Sequence, residues 1–400
     1  MPSPQASRPP SFLAHVFSGG FRPFFLFGAV HAALMIALWV PWFLGAITVP
    51  SAFAPVVWHQ HELLFGFVPA VIAGFLLTAV PNWTGRRAFA GWPLALLFGL
   101  WFAGRLAVAC SDTIGLFAAM AVAGAFLPVL AGLVFRELAA AGNRRNYKVV
   151  AILALLFSAQ LLFFCEVRDL GHVVLADRLA IATIIFLIAL IGGRIIPNFT
   201  ANWLRQKNPG PLSAAFGRFD LVVMGASGVA LVAWPLSAAL PALAPIAGLL
   251  LIGGGIAQFA RQLRWRPERT FAEPLVTILH VAFFFIPLGF MLTGAALLLD
   301  DVGLRTAGVH AWTSGAIGCM TLAVMTRATR GHTGQPLHAP ASTTYGIYVP
   351  AVMAAVLRIV AALSPQWTES LLPCAAVFWV LAFLGYAVFY GPLILRRRLF

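Results

Sequence analysis

Apolar runs of about 20 residues, separated by short breaks rich in charge, glycine or proline, follow one another along the whole chain. A helix of that length crosses the ~30 Å hydrocarbon layer with every backbone hydrogen bond made internally. The breaks place twelve spans, near 24–44, 57–80, 92–110, 114–135, 149–164, 179–196, 219–239, 242–260, 275–299, 308–326, 345–363 and 373–395. Of 400 residues, 61% are hydrophobic and 10% charged. A soluble domain has about 45–50% and about 25%, so a water-soluble globule is excluded. The runs do not alternate apolar and polar residues, which excludes a transmembrane β-barrel. The expected fold is all-α: one integral membrane domain over 1–400, opened by a short cytoplasmic tail at 1–20.

The net charge of +14 would point to nucleic acid in a soluble protein, but its position gives another reading. With a cytoplasmic N-terminus, twenty Lys and Arg fall in inner segments, from Arg8 and Arg22 through Arg86, Arg144, Arg261 and Arg330 to Arg396–Arg398. Only Arg105, Arg168, Arg178 and Arg305 fall in outer ones. This asymmetry orients both ends toward the cytoplasm and needs no acidic partner, so nucleic acid is rejected. The first run has no small-residue cleavage pattern and reads as a span. Cys110, Cys165, Cys319 and Cys374 stand alone with no CxxC spacing, which excludes covalent haem and a zinc ribbon; free buried thiols are expected.

Sliding the chain on itself by 249 residues superposes His31 on His280, His61 on His310, Gly66 on Gly315, Thr84 on Thr333 and Gly85 on Gly334. Histidine is too rare here for two such matches to be expected by chance. The first and second runs therefore repeat in the ninth and tenth. An offset of 116 lays Pro81-Asn82-Trp83-Thr84 on Pro197-Asn198-Phe199-Thr200, extending the scheme to three units of four helices. Repeats commonly leave their functional site at the interface between them.

Ionisable groups inside the bilayer are costly unless paired or ligated, so each is a functional candidate. The second run enters from the outer face with Trp58-His59-Gln60-His61-Glu62, and the tenth with His310-Ala311-Trp312. Neutral imidazole is the commonest metal ligand. His61 and His310 are expected to hold one metal between repeat-related helices. Residues two apart point about 200° from each other on a helix, so His59 is assigned to a neighbouring metal or a supporting hydrogen bond. Glu62 is placed to support a ligand or relay protons. His31 and His280 are expected to form a separate centre roughly 10–20 Å deeper. Arg194 and Arg358 either snorkel or pair with a carboxylate-bearing cofactor. His332 is a further candidate ligand; His15, His172 and His338 read as solvated. The competing reading of any single interfacial histidine is a wet boundary residue. The chain has neither a phosphate-binding P-loop nor a dinucleotide fingerprint.

Long stretches carry a family resemblance: Phe21-Arg22-Pro23-Phe24-Phe25, His61-Glu62-Leu63-Leu64-Phe65-Gly66-Phe67, the segment 73–85, His310-Ala311-Trp312-Thr313-Ser314-Gly315-Ala316-Ile317-Gly318 and Arg330-Gly331-His332-Thr333-Gly334. Over nearly its whole length the chain resembles the NnrS family. The resemblance implies a multi-pass protein of the bacterial inner membrane that contains non-covalent haem and copper and is linked to nitric-oxide metabolism and nitrosative-stress tolerance. It assigns no histidine to a metal. A looser similarity is to haem-copper oxidases, which share twelve helices in a pseudo-threefold arrangement. This chain departs from them in having no histidine in its sixth or seventh run.

These readings converge on a redox protein that binds nitric oxide and reduces or detoxifies it, with an electron donor outside the chain. Haem iron is assigned to His61 and His310, and copper or a second haem to His59, His31 and His280. The same histidines would also serve a transporter of a metal, haem or nitrosyl-iron species, or a haem-based nitric-oxide sensor.

Overall fold

The computed structural model describes residues 11–396, so Arg8, Arg397 and Arg398 and the first half of the 1–20 tail lie outside the described residues. Among the described residues the chain is helices and connections, with no strand. Eleven helices are long and apolar enough to cross a membrane, and the chain is a multi-pass membrane protein. They are α1 (Phe21–Phe43), α2 (Pro55–Thr84), α3 (Trp92–Ala109), α4 (Leu116–Ala140), α5 (Arg144–Leu170), α6 (Leu175–Lys207), α7 (Arg218–Ala239), α8 (Pro241–Arg269) and α9 (Pro274–Leu299), then α11 (Ala341–Leu363) and α12 (Pro365–Leu395). Between them α10 runs unbroken through Val302–His310, Ala311–Gly318 and Cys319–His332. It is longer than either neighbour, α9 or α11, but its small, hydroxyl and charged residues make it less apolar than the rest. Packed against α9 and α11, it meets protein where they meet lipid, and it completes the expected twelve.

Several ends are set locally. Proline opens α2 and α9, where a missing N–H costs nothing. Asp301 caps α10 through Leu304 N at 2.7 Å. Gly85 and Gly171 end α2 and α5 with φ of 69° and 72°, values that favour glycine. Helix α6 overruns its expected end at 196 because Asn198, Asn202, Arg205 and Lys207 extend it past the apolar layer.

The second helices of the three expected units, α2, α6 and α10, contact one another around a common axis, and α12 packs on α1 to close the bundle. Trp379 Nε1 donates to Ala32 O at 3.0 Å across that seam. Arg22, at the start of α1, donates to Ile394 O near the end of α12, so the two described ends share one face. The repeat of α1–α2 in α9–α10 extends to backbone detail. A π-helical stretch starts at Glu62 in α2 and at Ala311 in α10, which are superposed by the same offset of 249. Gly85 and Gly334, also superposed, both have positive φ. Helix α6 carries the matched Pro197 but no π turn, so the middle unit has diverged.

Three arginines counted by sequence as flanking charges are buried: Arg105, Arg261 and, near the end of α10, Arg330. Arg105 of α3 is 7% exposed and Arg261 of α8 is 0% exposed. Arg261 Nε donates to Asp220 Oδ1 of α7 at 2.8 Å and Nη1 to Ala189 O of α6 at 3.1 Å. Gly193 makes room for it, since a Cβ there would sit 2.0 Å from the guanidinium. All four cysteines are free, as expected, but only Cys319 is buried; Cys110 and Cys374 are exposed.

Removing one partner of a buried ion pair strands the other charge. Asp220→Ala should therefore destabilise the protein by about 3–5 kcal/mol, read as a fall in melting temperature in detergent. An unchanged melting temperature would show that the α7–α8 pair carries no structural load.

Candidate functional site

Six of the nine candidate residues fall into two groups on opposite sides of α2: His31, His61 and Glu62 in one, His59, His310 and Arg358 in the other. The first is a closed polar cluster. Glu62, 1% exposed, accepts from Arg105 Nη1 at 2.7 Å and from His61 Nδ1 at 2.9 Å, both through Oε1. Its Oε2 lies 3.2 Å from His31 Nε2, which also contacts Glu62 O at 3.3 Å. Because a carboxylate only accepts, these contacts fix His31 as the Nε2–H tautomer and His61 as Nδ1–H. Gln160 of α5 then offers Nε2 to His61 Nε2 at 3.5 Å. Phe53, Phe65, Phe163 and Phe164 enclose the His61 ring.

The π turn of α2 builds this cluster. It re-aims successive side chains, so His61 and Glu62 meet each other although adjacent in sequence. Trp101 Nε1 donates to Gly66 O at 2.8 Å within the turn. Gly66 is required by close approach: a Cβ there would lie 2.5 Å from Arg105 Nη1 and 2.8 Å from His31 Nε2. The superposed Gly315 of α10 is equally tight, its Cβ position 2.4 Å from the Phe285 ring.

The second group lines a cleft of about 270 Å³ bounded by α1, α2, α6, α10, α11 and α12. His59, His310 and Arg358 face it, among walls that include Trp39, Leu64 and Trp379. His59 stacks on Trp39 with ring centroids 4.2 Å apart and planes at 20°, and its buried Nδ1 has no partner. His310 Nδ1 donates to Thr306 O, one turn back, at 2.8 Å, which leaves Nε2 as a lone-pair acceptor. Arg358 is an electrostatic neighbour of both histidines, and among the described residues no carboxylate lies within ion-pair distance of it. On the rim, Asp177 accepts from Gln60 Nε2 at 3.4 Å and from Arg178 N at 2.6 Å.

This arrangement revises the expected pairings. His61 and His310 do not share a centre: His61 faces α3 and α5, and the histidine that shares the cleft with His310 is His59. The opposed directions of residues 59 and 61 are as helical geometry requires. His31 is not a separate, deeper centre, because the Glu62 side chain bridges the drop from His61 to the level of Gly66. His280 lies apart from His31, its Nε2 2.9 Å from Thr200 Oγ1 of α6 and its Nδ1 buried without a partner. Arg194 stacks over Phe216 at 5.3 Å. His332 is exposed at the end of α10, stacked on Phe21 at 5.4 Å. Of the histidines read as solvated, His172 and His338 are exposed, and His15 is half-buried with Arg22 Nη1 3.0 Å from its Nε2. No set of three or more metal-ligating side chains gathers at metal distance among the described residues.

Sequence reasoning missed Arg105, Gln160 and Trp39. Arg105 carried a usable signal: it lies within the apolar run 92–110, which holds no acidic residue to answer it, so a partner from another helix is required.

Twelve helices around an axis, a histidine-lined cleft and a sealed polar cluster define a helical integral membrane protein whose buried polar groups are gathered beside the second helix of a repeat. The chain belongs to the NnrS family: the family model described as NnrS protein matches residues 15–398. Membership suggests a role linked to nitric oxide. No curated protein matches the chain.

If Glu62 exists to balance Arg105, Glu62→Gln and Arg105→Met should each cost about 3–5 kcal/mol of stability, whereas combining the two should recover much of it. Thermal melts of the three proteins supply the check. Additive losses in the double variant would show that the two side chains are not coupled.

Proposed function

We propose that this protein is a redox protein of the bacterial inner membrane that binds nitric oxide at a haem held in the cleft. The observation that carries the reading is His310, whose Nδ1–H is spent on Thr306 O and whose Nε2 is thereby left as a ligand-ready lone pair beside His59 and an unpaired arginine. His59 offers a second imidazole from the opposite wall, with its orphaned Nδ1 as further support for an absent partner. Arg358 suits a propionate, because a guanidinium matches a carboxylate in a bidentate fork and has none here. The walls between these groups are apolar and would keep water from the ring faces.

When bound, the haem would supply an iron that takes nitric oxide as a ligand and passes single electrons. The chain's own residues hold and orient it: His310 is fixed by Thr306, and His59 by its stack on Trp39. Reduction of two nitric oxide molecules to nitrous oxide and water consumes two electrons and two protons, so an external electron donor and a proton route are part of the proposal. Glu62 immediately precedes Leu63 and Leu64 of the cleft wall, but its carboxylate is committed to Arg105, His61 and His31 on the other side of α2, so the proton route is not assigned to it. Copper finds no comparable place. At the His31–Glu62–His61 group the guanidinium of Arg105 already occupies the cation position, and His61 Nδ1 and His31 Nε2 are spent on Glu62. The excess of Lys and Arg at the face shared by the two described ends supports a cytoplasmic placement of that face.

Purified protein carries the test. His310→Ala should abolish the haem absorption band, His59→Ala should shift or abolish it, and Arg358→Leu should weaken haem retention. His61→Ala should leave the band in place. A full band in His310→Ala, or loss of haem in a folded His61→Ala protein alone, would refute the assignment. Turnover of nitric oxide with an artificial electron donor separates the enzyme from a sensor that binds without turnover. Movement of substrate by metal-free protein in vesicles would identify a transporter.

A further inference from the structure

The axis shared by α2, α6 and α10 is not filled. A cavity of about 90 Å³ lies between them, walled by Val71, Ile72, Ile188, Ile191, Met320 and Val324. Thr321 brings the lining's one hydroxyl, and it is spent on Gly318 O at 2.8 Å. About 15 Å³ suffices for a water molecule, but a water needs two to four polar partners, and none is free here. An apolar space of this kind does not hold ordered water.

The cavity also leads somewhere. Val68 of α2 and Ile317 of α10 line both it and the histidine cleft, so the two spaces share a wall. Ile317 stands within the π turn of α10. At the cavity's other margin Phe75, Ile195 and Val324 remain half-buried, which leaves an opening on the bundle surface. An ion or a strongly hydrated solute would lose its hydration in this space with nothing to replace it. A small uncharged molecule would not.

We infer that the axial cavity is a binding site for a small uncharged gas and the route by which that gas passes from the lipid to the cleft. The second half of this inference rests on the nitric-oxide reading above; the first half does not. Xenon is the probe. In the purified protein without metal, 129Xe NMR should show saturable xenon binding. Val324→Trp should remove it, and Leu187→Ala, which enlarges the cavity, should increase it. Wild-type protein that takes up no xenon, because a lipid tail fills the space or because the space closes, overturns the site. In metal-loaded protein Val324→Trp should slow nitric-oxide association severalfold while leaving the haem spectrum unchanged. Unchanged association with xenon binding lost would make the cavity a dead end and overturn the route. Failure to load haem would count against the cleft assignment and leave the xenon result standing.

Discussion

A guanidinium held within the apolar layer must be answered by an opposite charge or by a ligand, and three arginines show how this chain meets that demand. Arg261 is answered by Asp220 at 2.8 Å, and the pair ties α7 to α8. Arg105 is answered by Glu62 at 2.7 Å, which ties α2 to α3 and gathers His31 and His61 around the same carboxylate. Arg358 faces a cleft with two imidazoles and, among the described residues, has no carboxylate within ion-pair distance. The first two explain architecture. The third is the place where the protein's own charges leave something out, and the cleft around it is where the function is assigned.

The repeat explains why the two histidine groups look alike in sequence and differ in space. Both copies place histidine immediately before a π turn on the second helix, and both follow it with a zero-clearance glycine, Gly66 or Gly315. A third-helix arginine accompanies each, Arg105 in α3 and Arg358 in α11. Among the positions at which the copies differ, the first of the π turn bears most on the chemistry. Glu62 follows His61, whereas Ala311 follows His310. In the first copy the acid turns the histidine's Nδ1–H toward itself and neutralises the arginine. In the second, the histidine donates back to its own helix at Thr306 O and its Nε2 is left uncommitted.

Much of this was legible in the sequence. Twelve spans follow from run length, because the bilayer imposes a length and a polarity that neighbouring helices cannot override. The α1–α2 and α9–α10 repeat was visible because histidine is scarce, and the offset it gave also superposes the π turns, which no composition signal announces. What sequence could not give was direction. Whether His59 or His61 looks toward His310 depends on the rotation of α2 about its axis, which is fixed by contacts such as Trp39 on His59 and Trp101 on Gly66 O. Depth arithmetic for His31 failed for a related reason. It located backbones correctly enough, but a glutamate side chain erased the interval between His31 and His61. Arg105 was misplaced because charge counting treats every arginine near a span boundary as a flank.

The divergence at positions 62 and 311 also bears on how such a site arises. The duplicated hairpin supplies each copy with matched histidines, each copy has an arginine nearby at a position the repeat does not superpose, and a lipid-embedded fold keeps such groups only where they are paired or ligated. In one copy the answering charge is covalently part of the chain, and the result is a sealed cluster whose residues are committed to one another. In the other, no carboxylate pairs with Arg358 among the described residues, and on the proposed haem reading a propionate would take that place, so that the cofactor would stabilise the fold as well as serve the function.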